Sequence, residues 1–202
     1  MPKLVDHEQR RREIAEATWR AIDECGADGV TMRAIAERAG CTTGRLNHYF
    51  RSQDDLLIAA LQHAYRNTAA RMTRAAEQHT GRDALLAVLL EALPVDDTRR
   101  GEYRVWLTFW GQAMTNGALQ AEHQRRYDAW HQLLTRLVRT AAPHIPAKRA
   151  ANVAESLAAL ADGLGVQAIM HPASARPQHL RRLLELSITQ LLGDAPATTD
   201  AA

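Results

Sequence analysis

Between Thr31 and Leu56 the chain reads TMRAIAERAGCTTGRLNHYFRSQDDL, two short helical patterns hinged on a single glycine. Ile35, Ala36 and Ala39 share one face of the first, which Gly40 ends. The second begins after Thr42 and carries Leu46 towards Phe50. Upstream, Ile14, Thr18, Ile22 and Cys25, backed by Ala17 and Ala21, recur at helical spacing and stop at Gly26. A glycine just past a helix end closes the last turn by taking the left-handed conformation. Downstream, Ser52 with Asp55 three residues on makes a capping-box pattern. It opens a much longer helix striped by Leu57, Leu61, Ala64, Thr68 and Met72.

The remaining chain keeps the helical period. Gly81 marks a break, and helices are expected over roughly 83–93, 103–115, 118–141 and 147–171. Pro94, Gly117 and the Pro143–Pro146 pair separate them. Pro172 and Pro177 bracket a turn before a leucine-rich helix of about 178–192. Aromatic residues make up only 5% of the chain, and the dominance of alanine and leucine favours helices. No segment alternates with period two, so no sheet is expected, and the tail GDAPATTDAA has no apolar pattern and is expected to be disordered. The fold class is all-α with about nine helices. Three would form a head over 1–51; the linking helix and five more would form a second domain over 52–193, before a tail at 194–202.

Two short helices joined by a tight glycine turn make a helix-turn-helix, the unit that sets its second helix in the major groove of DNA. The side chains suit that role. Thr31 and Thr42 stand at helix N-termini, where backbone N–H groups favour phosphate, and Arg33 follows closely. Thr43, Gly44, Arg45, Asn47, His48 and Tyr49 form the expected solvent-facing side of the second helix. From Thr42 to Arg51 there are two arginines and no carboxylate, as a surface pressed against phosphates requires. The net charge of +2 is too small to argue for nucleic acid by itself.

The pattern T-x-x-x-I-A-x-x-A-G-x-T-x-G-x-L-x-x-Y-F over Thr31 to Phe50, with Leu56 six residues later, resembles the DNA-binding domain of TetR-family repressors. The segments VWLTFWGQAM, LAALADGLGVQAI and LLELSITQLL are similar to the choline-responsive BetI branch of that family. The resemblance implies a homodimer, double-stranded operator DNA as partner, and a small-molecule inducer whose binding releases a palindromic operator. The apolar faces of the last two long helices, Ala150, Val153, Ala154, Leu157 and Ala161 in one and Leu180, Leu183, Leu184, Ile188 and Leu191 in the other, are expected to form a four-helix dimer interface, as the resemblance also implies. Three positions depart from it. Gln53 stands where many relatives have a phosphate-binding lysine, Asn47 replaces a common tyrosine, and Gly165 takes the place of a bulky aromatic in the BetI branch.

Tyr103, Trp106, Phe109 and Trp110 concentrate aromatic rings within eight residues, and Tyr127 and Trp130 follow on the next long helix. Core packing is the bland reading of each; as a group, with Asp162 to balance a cation, they are the candidate ligand-binding residues. His123 and His131 are too far apart in sequence to share a zinc ion, and no Cys-x-x-Cys or His-Glu-x-x-His pair occurs, so no metal and no cofactor are expected. Gly163-x-Gly165-x-x-Ala168 follows a helical pattern where a dinucleotide fingerprint needs a strand. No nucleophile motif of the G-x-S-x-G kind is present, so no catalytic residue and no enzyme activity are expected. Cys41 reads as a small hydrophobe of the turn.

Two cysteines make no disulfide framework, the N-terminus MPKLVDHEQRRR lacks a signal-peptide core, and no run of about 18 apolar residues is expected to span a membrane. A cytoplasmic location follows from these expectations. Two further readings compete with the ligand-responsive regulator. One is an architectural DNA-binding protein without a ligand. The other is a helical bundle that binds ligand but not DNA.

Overall fold

The computed structural model describes residues 2–26, 29–174 and 176–193. Among them lie nine α-helices and no strand: α1 (Pro2–Cys25), α2 (Met32–Arg38), α3 (Thr43–Asn47), α4 (Gln53–Gln78), α5 (Gly81–Glu91), α6 (Asp97–Ala113), α7 (Gly117–Ala141), α8 (Ala147–Met170) and α9 (Pro177–Leu192). The fold is all-α, as the periodicity requires. The tail expected to be disordered lies outside the described residues.

The chain forms two compact units, the first from residues 1–70 and 96–126, the second from 71–95 and 127–202. The boundary expected at residue 51 falls inside the first unit.

In the first unit, Ile14, Ala15, Ala21 and Ile22 of α1 pack with Ile35, Ala36, Leu46 and Phe50, and with Leu56, Leu57, Ala60 and Leu61 of α4. Val105, Phe109 and Ala113 of α6 join the same core. The α2–α3 turn has a complete set of local partners. Thr31 accepts from Ala34 N–H (3.1 Å) and Thr42 from Arg45 N–H (3.2 Å), each satisfying an orphan donor of its helix. Gly40, at φ +62°, lets its N–H reach Glu37 O (3.0 Å) and Cys41 N–H reach Ala36 O (2.9 Å), the paired bonds of a Schellman cap. Ser52 accepts from Asp55 N–H (3.1 Å) and caps α4, while the Asp55 carboxylate reaches one residue further than a capping box and accepts from Arg51 N–H (2.9 Å).

The start of α6 differs from the expected 103. It lies at Asp97, because Asp96 accepts from Arg99 N–H (2.8 Å) and caps a helix that runs through Gly101. Gly101 is there for close approach. A Cβ at that position would lie 3.0 Å from Trp19 Cζ2 and 3.1 Å from the Asp23 carboxyl, both on α1. Asp23 in turn pairs with Arg104 of α6 at 2.6 Å.

The second unit buries Leu85, Leu86, Leu89 and Leu93 against Leu134 and Val138 of α7 and against the inner stripes of α8 and α9. Ala150, Val153, Ala154, Leu157 and Ala161 of α8, and Leu180, Leu184 and Ile188 of α9, were expected to face a second subunit. They are buried within the chain's own core, and Leu183 and Leu191 are half-buried. An apolar stripe has the same period whichever surface covers it. The faces left outside are another stripe: Asn152, Ser156, Ala159, Gly163 and Met170 on α8, and Leu186 on α9, with Met170 67% and Leu186 55% exposed. Although no membrane-length run was expected, α8 is long and apolar enough to cross a membrane by length and composition alone. Its inner stripe is instead packed in this core.

Gly101→Leu should force α1 and α6 apart. Overpacking of this kind costs about 1–3 kcal/mol, so thermal unfolding should show Tm lower by several degrees. An unchanged Tm would mean that the close approach at Gly101 does not constrain the first unit.

Candidate DNA interface and ligand-binding groups

The helix-turn-helix presents its polar side chains because Leu46, fully buried, fixes the rotation of α3. Thr31, Arg33, Thr42, Thr43, Gly44, Arg45, Asn47, His48 and Arg51 are all exposed. Tyr49 departs from the expected free surface. It is half-buried, with its ring 4.8 Å from that of His7.

Two arginines of α1 reach the ends of both motif helices. Arg10 donates to Ala39 O at the end of α2 (2.5 Å), and Arg11 donates to Tyr49 O just beyond α3 while its guanidinium lies 4.4 Å from the Phe50 ring centroid. The hydrogen bond from Arg10 to Glu13 (2.7 Å) holds the Arg10 pKa above its ordinary value. These arginines are structural, and no local sequence pattern marks them as such. By contrast, Arg33, Arg45 and Arg51 form no ion pair among the described residues, although Arg10, Arg20 and Arg38 of the same head each bond to a glutamate. Cationic side chains left exposed without carboxylates are what a phosphate-facing surface needs. Cys41 is half-buried and packs against the head core.

The candidate ligand residues divide between the units. In the first, Tyr103 and Phe109 are buried, and Phe109 is part of the hydrophobic core. Trp106 and Trp110 are half-buried. Tyr103 and Trp110 meet edge to face at 6.2 Å between centroids, and Trp110 meets His123 likewise at 6.2 Å. The place of His123 in this row of rings depends on packing between α6 and α7, which no local spacing signals. Burial holds its pKa below the ordinary histidine value, so the ring is neutral at pH 7. Glu102, fully buried beside Tyr103 in sequence, accepts a hydrogen bond from Thr68 (3.0 Å), a contact that no local pattern signals.

In the second unit, Tyr127 donates its hydroxyl to Asp162, and the His131 ring stands edge-on to Tyr127 at 5.7 Å. Burial pushes the Asp162 carboxyl up to about 6, against the opposing pull of the Tyr127 hydroxyl and the His131 charge. At neutral pH the group is ionised but close to its titration, a poised negative charge beside an aromatic ring. Trp130 is half-buried against the core of this unit. The two glycines expected to leave space on α8 differ. Gly163 faces outward with nothing within 4 Å of a built Cβ, whereas Gly165 is buried.

Known protein families match the chain in two separate stretches. Residues 14–60 match the family of bacterial regulatory proteins, tetR family, and residues 81–193 match the BetI-type transcriptional repressor C-terminal family. The HTH-type transcriptional regulator BetI of Burkholderia mallei (strain NCTC 10229) is 37% identical, the match covering 95% of this chain and 98% of that protein. PksA, an HTH-type transcriptional regulator of Bacillus subtilis (strain 168), is 33% identical over 91% of this chain and 90% of its own length. A transcriptional regulator from Rhodococcus sp. Rha1 superposes with a TM-score of 0.82 at 27% identity, covering 90% of this chain and 95% of that one. A regulator from Saccharomonospora viridis, solved in complex with choline, gives 0.74 at 27% identity over 90% and 96%. The chain belongs to the TetR family of transcriptional regulators, with a C-terminal part of the BetI type.

Proposed function

We propose that this regulator is a cytoplasmic homodimeric repressor, not an enzyme, that leaves a palindromic operator when a small organic cation binds. The observation that carries DNA binding is the exposed, carboxylate-free face of α3 with its flanking Thr31, Arg33, Thr42 and Arg51. Thr43, Gly44, Arg45, Asn47, His48 and Tyr49 read base edges or hold phosphate; Gly44 allows the backbone to come close. In this reading residues 1–51 act as the DNA-binding head and 52–193 as the sensing and dimerising part. Purified protein should prefer its own upstream DNA over random duplex at about 150 mM salt, where non-specific binding weakens. Arg45→Ala should cost about 1–3 kcal/mol and relax one base position if the guanidinium reads guanine, or weaken all sequences alike if it holds phosphate. Equal affinity for both duplexes, or intact binding in the Arg45→Ala and Tyr49→Phe variants together, would contradict this reading.

The second subunit fits the outward stripe of α8 and α9 rather than the inward one. Ala159 and Gly163 are small enough for helices to approach closely, and Leu186 and Met170 are large apolar groups left in water. Gly163→Arg tests this without touching the subunit core, because the site has open space and arginine is a better helix former than glycine. Light scattering should show a dimer for the native protein and a monomer for the variant. A native monomer at micromolar concentration, or an undisturbed dimer in the variant, would rule out this interface.

An organic cation is the inducer class that suits the candidate residues of each unit, Tyr103, Trp106, Phe109 and Trp110 in the first and Tyr127, Trp130 and Asp162 in the second. Aromatic faces attract such cations; in the first unit neutral His123 does not repel them, and in the second ionised Asp162 balances their charge. The choline-bound relative supports the same class. The linkage has a definite sign. Since the Asp162 carboxyl titrates near 6, choline affinity should rise with pH through that value and level off above it. Calorimetry on Asp162→Asn should show weaker binding and a flat profile over that window. Choline release of operator with native strength in both Asp162→Asn and Trp110→Ala would exclude these groups, and no binding of choline or related cations would favour the architectural alternative.

A further inference from the structure

A cleft of about 480 Å³ opens in the second unit where α7 ends and α8 begins, lined by Arg136, Arg139, Thr140, Pro143, Ile145 and Ala147. Its volume is within the range of roughly 300–1,000 Å³ that small-molecule sites occupy. Its chemistry is one-sided. Between Asp128 and Glu155 the sequence carries Arg136, Arg139, Lys148 and Arg149 and not one acidic residue, in a chain whose overall charge is nearly balanced at +2. Two other arginines of this unit are held in ion pairs: Arg71 with Glu91 at 2.9 Å and Arg181 with Glu185 at 2.8 Å. Arg136 and Arg139 form no ion pair among the described residues, and both are exposed.

The rest of the lining is apolar: Ile145, which is buried, with Pro143 and Ala147. The Pro143–Pro146 segment holds that lining in place, since each proline fixes its own φ. Pro146 also leaves the first turn of α8 with no side-chain cap, so backbone N–H groups there add to the positive field of the two guanidinium groups. The Thr140 hydroxyl donates to Arg136 O at 3.1 Å, so the donors for an anion come from the two guanidinium groups.

We propose that this cleft binds a small molecule with an oxyanion head and an apolar body, the head on Arg136 and Arg139 and the body on Pro143, Ile145 and Ala147. Guanidinium groups recognise planar carboxylates and phosphate oxygens by paired hydrogen bonds, which a solvated lysine surface does not. The site is separate in composition from the cation-binding groups above. Arg136 lies nine residues beyond Tyr127 on α7, about 13 Å along the helix at 1.5 Å per residue.

Two probes distinguish the sources of the oxyanion: octanoate, which carries a carboxylate and an apolar tail, and inorganic pyrophosphate, which carries charge alone. Each is titrated into the full-length protein by calorimetry, with Tm followed in parallel. A ligand that binds only the folded state raises Tm with concentration. Saturable octanoate binding, lowered about tenfold or more in the Arg136→Ala/Arg139→Ala double variant, is the expected result. Pyrophosphate binding with the same dependence on the two arginines, and none for octanoate, would assign the head to phosphate and support the oxyanion site while removing the apolar lining from it. The double variant should keep the Tm of the free protein and its operator affinity, because neither arginine is buried or on the DNA face. Failure of both probes to bind below about 10 mM, where affinity falls under roughly 3 kcal/mol, would overturn the proposal. So would binding that persists undiminished in the double variant.

Discussion

Arg10 and Arg11, two neighbours on α1, hold the carbonyl ends of both helices of the DNA-reading motif. Through Ala39 O and Tyr49 O they turn α2, α3 and α1 into one body. A five-residue helix such as α3 has almost no stability of its own, since nucleation fixes several residues for very few hydrogen bonds. It exists because Thr42 caps its start, Arg11 closes the segment after its end, and Leu46 and Phe50 bury its inner side. The exposed placement of Arg45, Asn47 and His48 therefore depends on contacts made by residues of the head's inner side.

The same head core takes in α6. Gly101 brings α6 against Trp19 and Asp23 of α1, and the Asp23–Arg104 pair adds a charged contact on the same line. Residues of the aromatic row Tyr103, Trp110 and His123 are carried on this helix and its successor. A ligand that displaced those rings would act on a helix already locked to the scaffold of the motif. Differential binding to two arrangements of that helix is all that a population shift requires.

How much was legible in the sequence follows from how local each signal is. Thr31, Gly40, Thr42, Ser52 and Asp55 act on backbone groups within four residues of themselves, so the motif and its caps could be read directly. The start of α6 needed only Asp96, yet the aromatic stripe drew the boundary to Tyr103. Non-local facts were out of reach. Hydrophobic period gives the stripe of α8 but not what covers it: Leu157 and Leu184 suit a dimer interface by pattern and belong to the subunit core. Phe109 was grouped with a ligand site by density of aromatics and is also core. The pairing of Tyr127 with Asp162, across 35 positions, depends on how α7 packs on α8, and no motif encodes it.

Hydroxyl-radical footprinting of the protein's own upstream DNA tests the central claim most directly, because it reports the register of contact as well as its presence. A dimer that sets one α3 into each of two successive major grooves should protect two patches on one face of the duplex, centred about 34–36 Å apart, or about 10–10.5 base pairs. Both patches should fade together when the inducing cation is added. Continuous protection with no such period, unaffected by any cation, would mean that the exposed face of α3 does not read DNA in the way described.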